Sequence, residues 1–308
     1  MAVLAIDLGG TWVRLALFRE ADAPPARVTR FATQPEDGFE RVLDRIAEAA
    51  RALRAGEPIS CAGLAAPGPL DPARGVLLRP PNLRGWPAEA PIGAALSERI
   101  GVPVFVDNDA NVAALGEWRA GAGRGVDHLI YFTVSTGIGG GVILGGRVVH
   151  GAHGYAGELG HMVIQADGPP CLCGGRGCLE TLASGTAIAR LARERLAAGE
   201  PSRLTPDATA AEVFAAAAAG DRLAAAIVER AMWHLGIGVV NALHLFDPAL
   251  VILGGGVTNA GRLVFDPVAR AVARLAMPAF RHTPVVRAAL GDDAGLYGAA
   301  ALAFGAPG

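Results

Sequence analysis

A unit that occurs twice restricts the fold more than any other feature: an apolar strand, a glycine turn with a threonine, and a second apolar strand. The first copy runs Ala2–Ile6, Asp7-Leu8-Gly9-Gly10-Thr11, Val13–Phe18. The second runs Leu129–Val134, Ser135-Thr136-Gly137-Ile138-Gly139-Gly140-Gly141, Val142–Leu144. Two apolar runs separated by paired glycines read as a β-hairpin. Each hairpin is followed by alternating helices and strands. Phe39, Val42, Leu43, Ile46, Ala50 and Leu53 recur at helical spacing over Glu36–Leu53, ahead of a strand at Ile59–Ala65 closed by Pro67-Gly68-Pro69. A helix at Ile92–Ile100 leads to a strand at Val102–Val106. In the second half, helices from Thr186 onward include one over Arg222–Leu245, and strands fall at Val251–Leu253 and Val285–Ala288. The pattern predicts two similar α/β lobes with a cleft between them.

Composition narrows what such lobes can do. All 27 basic residues among the 308 are arginine. The absence of lysine excludes a phosphate loop ending in Gly-Lys-Ser/Thr, the strand lysine of protein kinases, and Schiff-base chemistry. A net charge of −2 leaves no electrostatic footprint for nucleic acid. The apolar stretch near Ala231–Phe246 is interrupted by His234 and His244 and falls short of the ~20 residues of a membrane span. Met1–Leu8 has no basic start and carries Asp7 within its otherwise apolar residues, which argues against a signal peptide. These features predict a soluble, cytoplasmic protein.

Glycine turns leave backbone N–H groups free to converge on an anion, since glycine tolerates close approach and positive φ. One such turn alone is an ordinary hairpin. Two of them, with a third at Gly254-Gly255-Gly256, predict a bound nucleotide. Without lysine, backbone amides and a divalent cation must neutralise its phosphates, and Asp7 suits Mg²⁺ held through water.

Three of the four cysteines fall in Cys171-Leu172-Cys173-Gly174-Gly175-Arg176-Gly177-Cys178, ten residues after His161. Three thiolates and an imidazole match a closed structural zinc site. The odd count argues against a disulfide. Cys61, inside a strand, reads as a buried apolar residue. Asn108-Asp109 stands at the C-terminal end of a strand, where α/β sheets place ligands. Glu158, His161 and Glu180 flank the metal loop and suit a polyhydroxylated ligand. His128, His150, His153, His234, His244 and His282 have no partner at ligand spacing and read as surface or packing residues.

Together, Asp7–Thr11, Val106–Asn111, Ser135–Gly141, Glu158–His161, Cys171–Glu180 and Leu253–Gly256 resemble the ROK family (repressors, open reading frames, kinases), and the run from Asn108 to Gly160 is most similar to its bacterial glucokinases. The resemblance implies an actin-like sugar-kinase fold, with two ribonuclease-H-like lobes around a central cleft. Residues 1–115 would form the first lobe, joined by a C-terminal helix at about 292–308, and residues 116–291 the second. It implies ATP-dependent phosphorylation of a hexose 6-hydroxyl, glucose first, with Asp109 as general base. Gly68, Asn82, Asn108, Glu158, His161 and Glu180 would bind the sugar. Asp7, Gly9, Gly10, Thr11, Thr136 and Gly137 would face the phosphates, with Gly254, Gly255 and Gly256 beside the adenosine. A homodimer or homotetramer follows from the same resemblance, while Zn²⁺ on His161, Cys171, Cys173 and Cys178 and Mg²⁺ with ATP rest on the residue patterns above. Trp12 stands where many members carry a lysine, with Arg14 on the same strand as a replacement. An N-acetylhexosamine kinase is the alternative substrate reading. A sugar-binding regulator is the non-enzyme alternative, disfavoured because the first strand starts at Ala2 and leaves no helix-turn-helix before it.

Overall fold

The computed structural model describes residues 1–80, 83 and 85–305. Asn82 lies outside the described residues. The chain divides into two compact units, one of Met1–Asp127, Gly141–Ala156 and Ala289–Gly308, the other of His128–Gly140 and Gly157–Ala288.

The first unit begins with β1 (Ala2–Leu8), β2 (Trp12–Phe18), β3 (Arg27–Ala32), α1 (Phe39–Arg54) and β4 (Ile59–Ala66). A small sheet of β5 (Leu70–Asp71), β6 (Val76–Leu78) and β7 (Glu89–Ala90) follows, then α2 (Ile92–Ile100), β8 (Val104–Asn108) and α3 (Asp109–Ala120). The main sheet has the order β3-β2-β1-β4-β8. β1, β2 and β3 pair antiparallel, whereas β4 and β8 join in parallel. β1 reads as a nearly continuous apolar run because it is covered on both faces. One face packs Leu4, Ile6 and Leu8 against Val42, Leu43 and Ile46 of α1.

The remaining elements are β9 (Leu129–Val134), β10 (Ile138–Leu144), β11 (Arg147–Val148), α4 (Leu179–Ala183), α5 (Gly185–Ala197), α6 (Ala210–Ala218), α7 (Arg222–Phe246), β12 (Leu250–Gly254), α8 (Arg262–Leu275), β13 (Val285–Arg287) and α9 (Ala294–Phe304). Their sheet has the order β11-β10-β9-β12-β13, with β12 and β13 added in parallel. The two sheets share one strand order, so the repeat seen in the sequence is a repeat of topology.

α9 returns to the first unit, where Val3, Ala5 and Ala16 meet Leu296, Ala299 and Ala303. It crosses α3 closely because both helices carry glycine at the contact. A Cβ on Gly298 would lie 1.7 Å from the Val112 carbonyl oxygen, and one on Gly116 would lie 2.3 Å from that of Ala294.

Several elements differ from the sequence pattern. Pro35–Asp37 is a separate 3₁₀ turn ended by Gly38 at φ 91°, so α1 starts at Phe39 instead of Glu36. β10 begins at Ile138, because Gly139–Gly141 belong to the strand instead of the turn. α3 follows β8 directly and runs through residue 115, and the first unit keeps it whole. Among the described residues α7 alone has the length and apolarity of a membrane span, contrary to the expected shortfall, but 61% of that window is buried within the protein. It is a core helix by packing.

Candidate active site and metal centre

In the first unit, β8 turns into α3 at Asn108. Asn108 is the N-cap of α3, its side-chain oxygen accepting from the Ala110 N–H at 2.9 Å. This cap makes Asp109 the first residue of the helix and leaves it exposed. A carboxylate at a helix N-terminus is stabilised in its charged form by the helix dipole. Gly68 faces the same corner, where a Cβ would come within 2.7 Å of Asn108 Nδ2. Gly68, Asn108 and Asp109 are thus neighbours. Asp107, one residue earlier, is buried and bonded to His150 at 2.6 Å. His150 is therefore partnered, contrary to its reading as a surface or packing histidine; a histidine far along the chain from its carboxylate gave no spacing signal.

The first glycine turn is closed by a 2.9 Å bond from Gly9 N–H to the Trp12 carbonyl. Gly10 and Thr11 are exposed at its tip. Arg14 Nη2 lies 2.5 Å from Asp7 Oδ2, and the same guanidinium reaches Asp293 Oδ1 at 3.3 Å and the Asp292 carbonyl. α9 starts against this pair, since a Cβ on Gly295 would be 2.8 Å from Asp7 Oδ2. Trp12 is half-exposed, with the Arg30 guanidinium 5.3 Å from its ring centroid.

In the second unit, the turn at Ser135-Thr136-Gly137 is closed by Ser135 N–H on the Gly137 carbonyl at 2.9 Å. A cavity of about 760 Å³ opens beside it, lined by Thr136, Thr186, Phe214, Gly256 and Leu263. Thr136 and Gly256 are among the residues the sequence singles out, whereas Thr186, Phe214 and Leu263 are not, being apolar or hydroxyl positions on helices that look like ordinary packing. Gly254 and Gly255 lie against the sheet: a Cβ on Gly254 would be 2.4 Å from the Tyr131 hydroxyl, and one on Gly255 2.4 Å from the Val134 carbonyl. Of the turn glycines named from sequence, Gly255 alone has positive φ, at 83°. Gly137, Gly140, Gly141 and Gly254 serve close approach and not a left-handed backbone.

The Glu-Leu-Gly-His motif is set by packing. Leu159 is buried, and Gly160 sits so close to β10 that a Cβ would meet the Ile138 carbonyl at 1.9 Å. The flanking Glu158 and His161 remain accessible, with His161 Nε2 3.9 Å from Glu158 Oε2. Glu180 turns its Oε2 to the Ile138 N–H at 2.9 Å.

His161 Nδ1 and the sulfurs of Cys171, Cys173 and Cys178 all lie within 4.8 Å of one another. The Cys173–Cys178 sulfur distance is 3.7 Å, and Cys171 Sγ is 3.6 Å from His161 Nδ1. Sulfurs about 2.3 Å from a tetrahedral ion stand about 3.7 Å apart, so these are ligand-edge distances. They are far too long for the ~2.05 Å of a disulfide. Burial and the neighbouring thiols push Cys178 up to about 12, a crowding that a divalent cation would reverse. The loop closes because Gly177, at φ 66°, lies where a Cβ would meet the Gln165 carbonyl at 1.6 Å. Cys61 is buried beside the Ala303 carbonyl, apart from the cluster.

The ROK family model matches residues 3–306. A glucokinase of Thermotoga maritima is 40% identical, covering 98% of this chain and 97% of its own. A ROK hexokinase structure from Thermus thermophilus superposes with a TM-score of 0.85 at 39% identity, over 97% of both chains. A ROK glucokinase from Streptomyces griseus, in complex with glucose and AMPPNP, gives a TM-score of 0.82 at 34% identity, over 99% of this chain and 100% of that one. The fold is that of the ROK sugar kinases, the actin-like ATPase fold.

Proposed function

The chain belongs to the ROK family and is an ATP-dependent sugar kinase; we propose that it converts glucose to glucose 6-phosphate with Asp109 as general base. The observation that carries this reading is the β8–α3 corner, where a capped helix start presents an exposed carboxylate beside Asn108 and Gly68. Asp109 takes the proton from the sugar 6-hydroxyl as that oxygen bonds to the γ-phosphorus. The bond from γ-phosphorus to the β–γ bridging oxygen breaks, and ADP leaves with its electron pair. Such transfers depend on position and charge neutralisation more than on covalent chemistry.

We assign Gly68, Asn108, Glu158, His161 and Glu180 to the sugar hydroxyls, and Asn82 with them on resemblance alone. Carboxylate and amide oxygens accept hydrogen bonds from hydroxyls in fixed directions, which suits a polyol. Gly9, Gly10, Thr11, Thr136 and Gly137 are assigned to the phosphates. The cavity beside Thr136 and Gly256 has the size and apolar wall for the adenosine, and Gly254 and Gly255, just before Gly256 in the chain, are assigned beside it on resemblance alone. Asp7 would hold Mg²⁺ through water, and the ion would neutralise phosphate charge.

Zinc is the ion assigned to His161, Cys171, Cys173 and Cys178. It would close the loop that carries Glu180 and orient His161, whose Nε2 is left for the sugar. The family resemblance supports a homodimer or homotetramer in the cytoplasm, and light scattering tests the assembly.

An ADP-release assay over glucose, N-acetylglucosamine, N-acetylmannosamine, fructose and mannose tests the function, with Asp109→Asn as control. Glucose should give the highest kcat/KM, and Asp109→Asn should be nearly inactive. Higher kcat/KM with an N-acetylhexosamine would replace the substrate reading, and no turnover with any sugar would remove the reading altogether.

A further inference from the structure

We propose that His150 is a positioning residue for phosphoryl transfer, acting through Asp107 on the corner that carries Asn108 and Asp109. The Asp107 carboxylate is 3% exposed and accepts three hydrogen bonds. Its Oδ1 receives the Asn108 N–H at 2.7 Å and Asn111 Nδ2 at 3.1 Å, and its Oδ2 faces His150 Nε2 at 2.6 Å. A buried carboxylate accepts only, so the imidazole Nε2 carries the proton in this bond.

These partners are not scattered. Asn108 and Asn111 lie on either side of Asp109, one as the N-cap of α3 and the other in its first turn. Asp107 therefore ties the last peptide of β8 to the start of the helix. The direction in which Asp109 leaves the chain is set between those two bonds. His150 comes from the segment after β11 and supplies the third donor from outside the corner. Without it, a buried anionic oxygen loses its donor. The carboxylate would then rotate toward solvent in the cavity of about 1050 Å³ that Asp107 and His150 both line, releasing the Asn108 amide. A shift of about 1 Å in a reacting group can cost about 10²-fold in rate.

A satisfied ion pair serving stability alone would leave each folded molecule fully active. Positioning predicts a different result, and the inference rests on Asp109 being the base. Steady-state kinetics on glucose and MgATP of His150→Ala, His150→Gln, Asp107→Asn and the His150→Ala/Asp107→Asn double variant separate the two. His150→Ala should lower kcat about 10- to 100-fold while the glucose KM stays within about 3-fold. His150→Gln, whose side-chain amide can donate to Asp107, should recover most of that loss. The double variant should be no worse than the poorer single variant, since both remove one linkage. Wild-type kcat in soluble, folded His150→Ala overturns the proposal, and so does a His150→Gln as slow as His150→Ala. Wild-type turnover by Asp109→Asn, measured alongside, would instead overturn the base assignment beneath it.

Discussion

Glu180 and Ile138 are joined by a 2.9 Å hydrogen bond in which the Ile138 N–H donates to Oε2. The helix start after the cysteine loop and the second glycine turn are therefore tied through one carboxylate. Glycine at 137 leaves room for that carboxylate: a Cβ there would stand 2.4 Å from the same oxygen. Its backbone is not left-handed, so alanine is tolerated conformationally and acts on Glu180 alone. Gly137→Ala should raise the glucose KM about 10-fold, the equivalent of about 1.4 kcal/mol, by pushing the Glu180 carboxylate away. Isothermal titration with glucose, without nucleotide, checks it. Unchanged affinity would show that Glu180 does not bear on the sugar.

Arg14 holds Asp7 in the first unit and reaches the turn before α9 through Asp292 and Asp293. Arg14→Gln removes the charge and the paired donors, so Asp7 loses its orientation. The KM for MgATP should rise about 10-fold with the glucose KM unaffected, following the usual worth of a charged hydrogen bond, about 1.5–3 kcal/mol, reduced by partial exposure. A Mg²⁺ titration of nucleotide binding, followed by calorimetry, should shift to higher metal concentration. An identical Mg²⁺ dependence would mean that Asp7 is not near the ion.

The cysteine cluster should hold about one zinc per chain. Native mass spectrometry of the purified protein measures this directly. Cys178→Ser should lose the ion, lower the melting temperature, and raise the glucose KM more than the ATP KM, because Glu180 lies two residues beyond. Metal-free protein with an unchanged melting temperature and an unchanged glucose KM would refute the structural role.

How much of this was legible depended on whether the signal was local. The clustering of His161, Cys171, Cys173 and Cys178 was legible because these residues and the glycines that fold their loop lie within 18 consecutive residues. The paired hairpins were legible because apolar runs and glycine turns are short-range patterns. α3 was not, because its residues offer little amphipathic periodicity where both of its faces meet protein, and Asn108-Asp109 reads as the end of a strand. His150 and Glu117 were passed over because each finds its partner only after folding. Of the two freedoms that glycine offers, the second turn uses closeness: Gly137 and Gly140 sit where a Cβ would collide, without a left-handed backbone.

Glu117 is a fully buried carboxylate held by three backbone amides. Oε2 accepts from Ala122 at 2.8 Å and Ala289 at 3.0 Å, and Oε1 accepts from Leu290 at 2.8 Å. It pins the segment before α9 to the end of α3. Glu117→Ala would leave those donors unsatisfied at about 1–3 kcal/mol each, part of which water entering the space left behind would recover. The expected net loss is about 3–5 kcal/mol in urea unfolding. Glu117→Gln, which keeps one acceptor oxygen, should lose less. Equal losses for the two variants would mean that packing volume, and not amide satisfaction, holds the junction.

The His150–Asp107 pair also makes stability depend on pH, and the sign can be fixed. The hydrogen bond to Asp107 raises the His150 pKa, partial burial opposes it, and the nearby negative charge adds to the rise. Asp71, Arg74, His153 and Tyr155 line the same cavity and are the other charged or titratable groups facing it. A histidine whose folded value lies above its unfolded value of about 6.5 binds a proton more tightly in the native state. The stabilisation is therefore complete below about pH 6.5 and disappears as pH rises through the folded value. The melting temperature of the wild type minus that of His150→Gln should be largest near pH 6 and shrink toward pH 9. Gln does not titrate, so contributions from Asp71, Arg74, His153 and Tyr155 largely cancel in the difference. A difference that stays flat over this range would mean that the imidazole remains neutral and donates to Asp107 without carrying charge.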